Sequence, residues 1–104
     1  MANENPPTKN TAWSCIIALE DYANPGMFKS NPTIAAGDFT LSRDDAAFST
    51  DYITVSVDPA ATVSVQVELT ADGMNADTVA IYGHDQTVPP EWCDFGLTIL
   101  TTAS

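Results

Sequence analysis

Apolar and polar residues alternate most regularly over residues 62–85, TVSVQVELTADGMNADTVAIYGHD. Val63, Val65, Val67 and Leu69 interleave with Thr62, Ser64, Gln66 and Glu68. That spacing puts the apolar side chains on one face of a strand and the polar ones on the other. The pattern breaks over residues 70–77 and resumes at Val79 and Ile81. The stretch therefore reads as strand, one short helical turn, strand, with the two strands at the centre of a small β domain. Thr70 is placed to cap a turn over Ala71 to Met74, and Met74 to dip into the core.

The same alternation recurs on both sides. Trp13 to Leu19 predicts a first strand with Trp13, Cys15, Ile17 and Leu19 facing in and Ile16 on the other face. Asp38 to Arg43 predicts another, with Phe39 and Leu41 on one face. Asp44-Asp45 then turns the chain. Asp45-Ala46 lacks the glycine that a two-residue hairpin prefers, which predicts a type I turn in a longer loop. Ala46 to Ser49 returns as a strand carrying Phe48. Ile53, Val55 and Val57 form the next strand, ended at Asp58-Pro59-Ala60-Ala61, where proline pre-sets φ at the second turn position. A polar loop over residues 86–91 leads to a last strand, Trp92 to Leu100. Cys93, Phe95, Leu97 and Ile99 share one of its faces, and Trp92, Asp94, Gly96 and Thr98 the other. About seven short strands punctuated by turns predict an all-β fold. The expected architecture is an antiparallel immunoglobulin-like β-sandwich with one short helical turn; a closed barrel is the competing arrangement.

Two segments lack this periodicity. Residues 1–12, MANENPPTKNTA, read as an extended N-terminal arm preceding a single domain over 13–104, because Pro6-Pro7 favours polyproline geometry and few residues there can be buried. Residues 20–37, EDYANPGMFKSNPTIAAG, form a long loop with a turn signal at Asn24-Pro25-Gly26. Tyr22, Met27, Phe28 and Ile34 make it too apolar for a mobile linker. It either packs over its own domain as a lid or packs on a neighbouring subunit.

Charge narrows the function. Fourteen acids face three bases (Lys9, Lys29 and Arg43), for a net charge of −11. Three cations cannot assemble a phosphate-binding surface, and an anionic membrane is disfavoured for the same reason, so neither nucleic acid nor membrane is an expected partner. The N-terminus has no basic start followed by an apolar stretch, and the longest apolar run, Cys15 to Leu19, is far shorter than the roughly 20 residues of a membrane span. The expected location is the cytoplasm in which the chain is made. Cys15 and Cys93 each sit in an apolar strand pattern and read as buried thiols in that compartment.

Catalytic chemistry has little to build on. The single histidine, His84, lies beside Asp85 and on the outward face with Tyr82, which reads as polar surface. No GxSxG, glycine-rich phosphate loop or HExxH occurs. The aspartates at Asp44 and Asp45 read as a solvated hairpin tip. Asp72, Asn75 and Asp77 fall close together without the spacing of a recognised calcium loop, and helix capping accounts for them equally well. The expectation is a non-enzyme without cofactor or metal. Trp92 and Tyr82 fit either a platform for sugars or, the favoured reading for Trp92, a subunit interface.

Three stretches carry a family likeness. NPTIAAGDFTLSRDDAAF (31–48), VQVELTADGMNAD (65–77) and EWCDFGLTIL (91–100) resemble small β-sandwich modules of tailed-bacteriophage particles. Those modules pair a GDF strand and an Asp/Gly/Ala-rich hairpin with an LT…MNAD turn and a Trp-acidic opening to the last strand. This chain departs from them at Asp45 and Ala46, where hairpin glycines are usual, and at Gly73, where a Glu precedes the Met. The resemblance implies a virion component: a head-decoration protein in preference to a neck, tail, fibre or baseplate attachment piece. Its partners would be other virion proteins and further copies of itself, and its final location the virion surface. The alternative is a carbohydrate- or receptor-binding β-sandwich module. The contact residues expected for attachment lie in the arm (Pro6, Pro7), the long loop (Tyr22, Pro25, Met27, Phe28) and at Trp92.

Overall fold

A computed structural model of the chain describes residues 7–102. Six strands follow in order: β1 (Trp13–Ile17), β2 (Phe39–Arg43), β3 (Ile53–Val57), β4 (Val65–Leu69), β5 (Thr78–Gly83) and β6 (Phe95–Leu100). They form two three-stranded sheets, ordered β1-β4-β3 and β2-β5-β6, and every pairing is antiparallel. Among the described residues there is no helix.

The alternation seen in the sequence places the core. On β4, the middle strand of the first sheet, Val67 lies opposite Cys15 on one side and Val55 on the other. On β5, the middle strand of the second sheet, Ile81 lies opposite Leu41 and Leu97. Val65, Val67 and Leu69 join Phe39, Leu41, Val79, Ile81 and Ile99 in one buried cluster fed by both sheets. Val63 falls outside it, at 40% exposed, because β4 begins only at Val65. Leu97 is half-buried, since β6 is an edge strand whose inner side opens on a groove.

Several expectations are corrected here. The segment 46–49 is not a seventh strand: Ser49 makes one bridge to Leu41 on the free edge of β2, and Phe48 turns outward. The Ser42 hydroxyl donates to the Ala46 carbonyl at 2.6 Å, bending the chain away from a ladder. The turn before it is tighter than a type I loop. Asp44 and Asp45 both have positive φ, and the Ala46 N–H reaches the Arg43 carbonyl at 2.9 Å, as in a primed hairpin turn. Asp44 is held in that strained region because its carboxylate accepts the N–H groups of Asp77 and Thr78 at 3.1 and 3.0 Å. The expected turn over residues 71–74 is present and capped by Thr70, whose hydroxyl accepts the Gly73 N–H at 3.1 Å, but it is a hydrogen-bonded turn and not a helix. Met74 is fully buried beneath it. The last strand starts at Phe95 rather than Trp92.

The N-terminal segment also differs from a free arm. Thr8 bridges Thr102 in parallel, with Lys9 N–H to Thr102 O and Thr102 N–H to Pro7 O both at 2.8 Å. Asn10 N–H reaches Met74 O, and Lys9 pairs with Asp77 at 2.5 Å. Residues 7–10 are thus laid along the end of β6. Pro6 lies outside the described residues.

Candidate functional site

The long loop divides into two halves with different fates. Residues 31–37 fold back on the domain: Asn31 N–H donates to Thr62 O at 2.8 Å, Thr33 N–H to the Glu91 carboxylate at 3.0 Å, and Ile34 packs on the core. Residues 20–28 instead form a small hairpin whose first arm pairs with residues 91–93 and whose turn is exposed. Glu20 bridges Phe28, and Asp21 N–H donates to Met27 O at 2.7 Å. Its tip is the Asn24-Pro25-Gly26-Met27 turn, closed by Met27 N–H to Asn24 O at 3.1 Å, with Gly26 at φ 89°. Proline first and a positive-φ glycine second define a type II turn. Both acids of the hairpin brace it. The Asp21 carboxylate accepts the Ala23 N–H and the Asn24 amide, and Glu20 accepts the Gly26 N–H at 3.0 Å. The Asn24 amide holds the Asp21 carboxyl below the usual carboxylate range, against a smaller opposing effect of desolvation.

This frame presents three large apolar side chains to solvent: Tyr22 at 54%, Met27 at 63% and Phe28 at 63% exposed. Pro25 sits at the turn itself and is exposed as well. Four of the sequence-predicted contact residues therefore lie in this one hairpin, Pro25 and Met27 in its turn and Tyr22 and Phe28 in its arms. Exposed apolar groups scattered singly are ordinary, whereas three within seven residues of one braced hairpin are not.

Trp92 does not join them. It is 1% exposed, stacks on Phe39 at 5.4 Å between ring centroids, and donates its indole N–H to the Thr33 carbonyl at 3.2 Å. A surface or interface role is replaced by a core one. The reason is that residues 91–93 do not continue the β6 ladder; they pair with the hairpin, Asp21 bridging Trp92 and Cys93 N–H reaching Glu20 O. The indole is thereby aimed inward over Phe39. Pro7, the remaining predicted contact, is partly buried beside β6.

A second cluster lies on the outer face of the second sheet. Tyr82 and His84 have nearly parallel rings, 4° apart, and Phe48 meets Tyr82 edge-on. The Asp94 carboxylate joins them, accepting the Tyr82 hydroxyl at 3.0 Å and lying 2.7 Å from His84 Nδ1. The hydrogen bonds from His84 and Tyr82 hold the Asp94 carboxyl below its usual range, and Asp94 in turn raises the Tyr82 phenol. A cleft of about 530 Å³ beside this row is lined by Tyr22, His84, Pro90 and Cys93. The carboxylate that meets His84 is therefore not its neighbour Asp85. Adjacent residues in an extended chain point to opposite sides, and Asp85 turns inward to 3% exposed. There it accepts the N–H groups of Glu91 and Thr87 at 2.6 and 2.9 Å, organising the loop. Burial pushes its pKa up, but those N–H groups outweigh it and leave the carboxyl below the ordinary range.

Cys15 and Cys93 are free thiols. Burial raises Cys15. Desolvation, with Glu20, Asp94 and Asp21 nearby, raises Cys93, which disfavours the nucleophilic thiolate at both. Among the described residues no three His, Cys, Asp or Glu side chains are grouped to hold a metal ion. Asp77 is engaged by Lys9, and the backbone oxygen of Asp72 by Arg43 at 3.0 Å. No described helix is long and apolar enough to cross a membrane. Family models, curated proteins and solved structures were all compared with the chain, and none matches it.

Proposed function

We propose that this chain is a non-enzymatic structural protein of a tailed-phage particle. It joins the virion surface, the head in preference to neck, tail or fibre, through its N-terminal arm and the 20–28 hairpin. The observation that carries the reading is the hairpin tip: Tyr22, Met27 and Phe28 are held in solvent by a type II turn and two bracing carboxylates. Rigid presentation of apolar anchors lowers the ordering cost of association. The strand order supports the immunoglobulin-like form of the fold. If β1 to β6 correspond to strands B to G of that sandwich, the sheets β1-β4-β3 and β2-β5-β6 reproduce its BED and CFG orders. The parallel Thr8–Thr102 bridge then falls where a first strand would begin. The likeness of residues 31–48, 65–77 and 91–100 to phage modules supplies the virion context.

The test is co-sedimentation with particles lacking the protein. Phe28→Ser, and separately deletion of residues 1–11, should leave a folded domain that no longer joins the particle; normal incorporation of both variants rejects the reading. Antibody labelling of assembled particles separates head from neck and tail.

A second reading, a carbohydrate-binding module, is favoured by one observation: the exposed row of Phe48, Tyr82 and His84 with a carboxylate at Asp94. Aromatic faces beside hydrogen-bonding carboxylates suit sugar rings. Shifts of the Tyr82 and His84 resonances on titration with host surface glycans, abolished by Tyr82→Ala, would favour it over attachment.

A further inference from the structure

β1 and β6 are edge strands, one in each sheet. Between them runs a groove of about 460 Å³ whose wall includes Trp13, Cys15, Ile17, Leu97 and Ile99. Ile16 and Leu100 also line it and stand 59% and 68% exposed. No charged side chain contributes to it. That matters in a chain with 14 acids and a net charge of −11, because a second copy is repelled wherever acids face acids. The groove is one place where an equally acidic copy can approach without that penalty. The chain also carries apolar side chains of its own to offer it. Its 20–28 hairpin exposes Met27 at the turn and Tyr22 and Phe28 on the arms, and these residues take no part in the groove's own wall.

We infer that the groove between β1 and β6 receives the hairpin tip of a second copy of this chain, in a head-to-tail contact. The inference rests on the reading of the hairpin as a contact element and adds the acceptor. The two surfaces are different patches of one chain, so the contact is heterologous and builds a ring if the rotation closes or a filament if it does not. The residues upstream of Pro7, MANENP, offer one large apolar side chain, Met1, and so match the apolar lining less well than Met27 and Phe28 do. The cleft on the opposite side of the molecule, lined by Ile34, Phe39, Ile53 and Val55, is smaller, at about 330 Å³, and none of its lining side chains is an exposed large aliphatic.

The test is sedimentation equilibrium of the purified full chain over a concentration series. The wild type should associate, and Leu100→Glu and Phe28→Glu should each weaken association at least about tenfold. Mixing the two variants should restore a one-to-one heterodimer and nothing larger, because one carries an intact groove and the other an intact tip. Ile16→Ser, at the same groove, serves if Leu100→Glu loses its melting transition. Deletion of residues 1–6 should leave association unchanged. A wild type that stays monomeric up to about 1 mM, association indifferent to the groove variants, or no heterodimer on mixing overturns the inference. Loss of association on the deletion would assign the groove to the arm and overturn it too. A monomeric wild type that still needs Phe28 to join particles would reject the groove assignment while leaving the attachment reading intact.

Discussion

At the scale of single residues, close approach and shared hydrogen bonds explain positions that composition leaves neutral. Gly73 is buried, and a Cβ there would lie 2.7 Å from the Cβ of Tyr52. Tyr52 is itself fixed, at φ 74°, with its carbonyl accepting the Thr70 N–H and its ring 4.6 Å beneath the Arg43 guanidinium. A larger side chain has no room here. Gly73→Ala should therefore lose about 1–3 kcal/mol through overpacking, read as a lower urea midpoint at unchanged slope. Asp94 gives a different prediction. It raises the Tyr82 phenol by accepting its hydrogen bond. Ultraviolet titration should find the Tyr82 phenol ionising above the ordinary value near 10, and Asp94→Asn should bring it back. An unchanged titration would show that the hydroxyl does not hold that bond in solution.

At the scale of elements, the register says which members of an alternating series matter. Val63 and Val67 have the same sequence parity, yet Val67 is 1% exposed on the central strand while Val63 is 40% exposed in the connection before it. Val67→Ala should cost about 1–3 kcal/mol through lost burial and an unfilled cavity. Val63→Ala should change stability by less than about 0.5 kcal/mol. Equal melting temperatures for the two variants would contradict the face assignment of β4. The hairpin follows the same logic in reverse: its strands are too short to bury anything, so backbone bonds and carboxylate braces hold it, and its apolar residues remain outside.

At the scale of the whole molecule, an excess of acids sets the response to pH. Lowering pH from 7 towards about 5 relieves self-repulsion and should raise the melting temperature slightly, as should added salt. Below that the sign reverses. Asp85 has a depressed pKa in the folded state, so its contribution is present above the unfolded carboxylate value near 4 and is lost as pH falls through the folded value. Asp21 and Asp94 act in the same direction from the surface. Acid unfolding should thus steepen below about pH 4. Asp85→Asn should flatten that limb, because the amide cannot titrate, while lowering stability at neutral pH. A mutant whose acid limb matches the wild type would remove Asp85 from this account.

The β class, most of the strands and much of the core are legible in the order of residues alone. Val65, Val67, Leu69, Val79, Ile81, Phe39 and Leu41 are buried where a period of two puts them, because a half-buried strand imposes that period directly on its residues. The Pro25-Gly26 turn and the Thr70 cap were legible for a similar reason: both are chemistry between residues a few positions apart. The same rule of alternation separates His84 from Asp85, a signal present in the sequence. The remaining features depend on partners distant along the chain. Trp92 is buried because Phe39 and the Thr33 carbonyl, 59 residues away, receive it. His84 finds Asp94 across the sheet, Gly73 answers to Tyr52, and residues 7–10 are held by Thr102 and Met74. Local pattern fixes which way a side chain faces along its own strand; only packing fixes what stands opposite it.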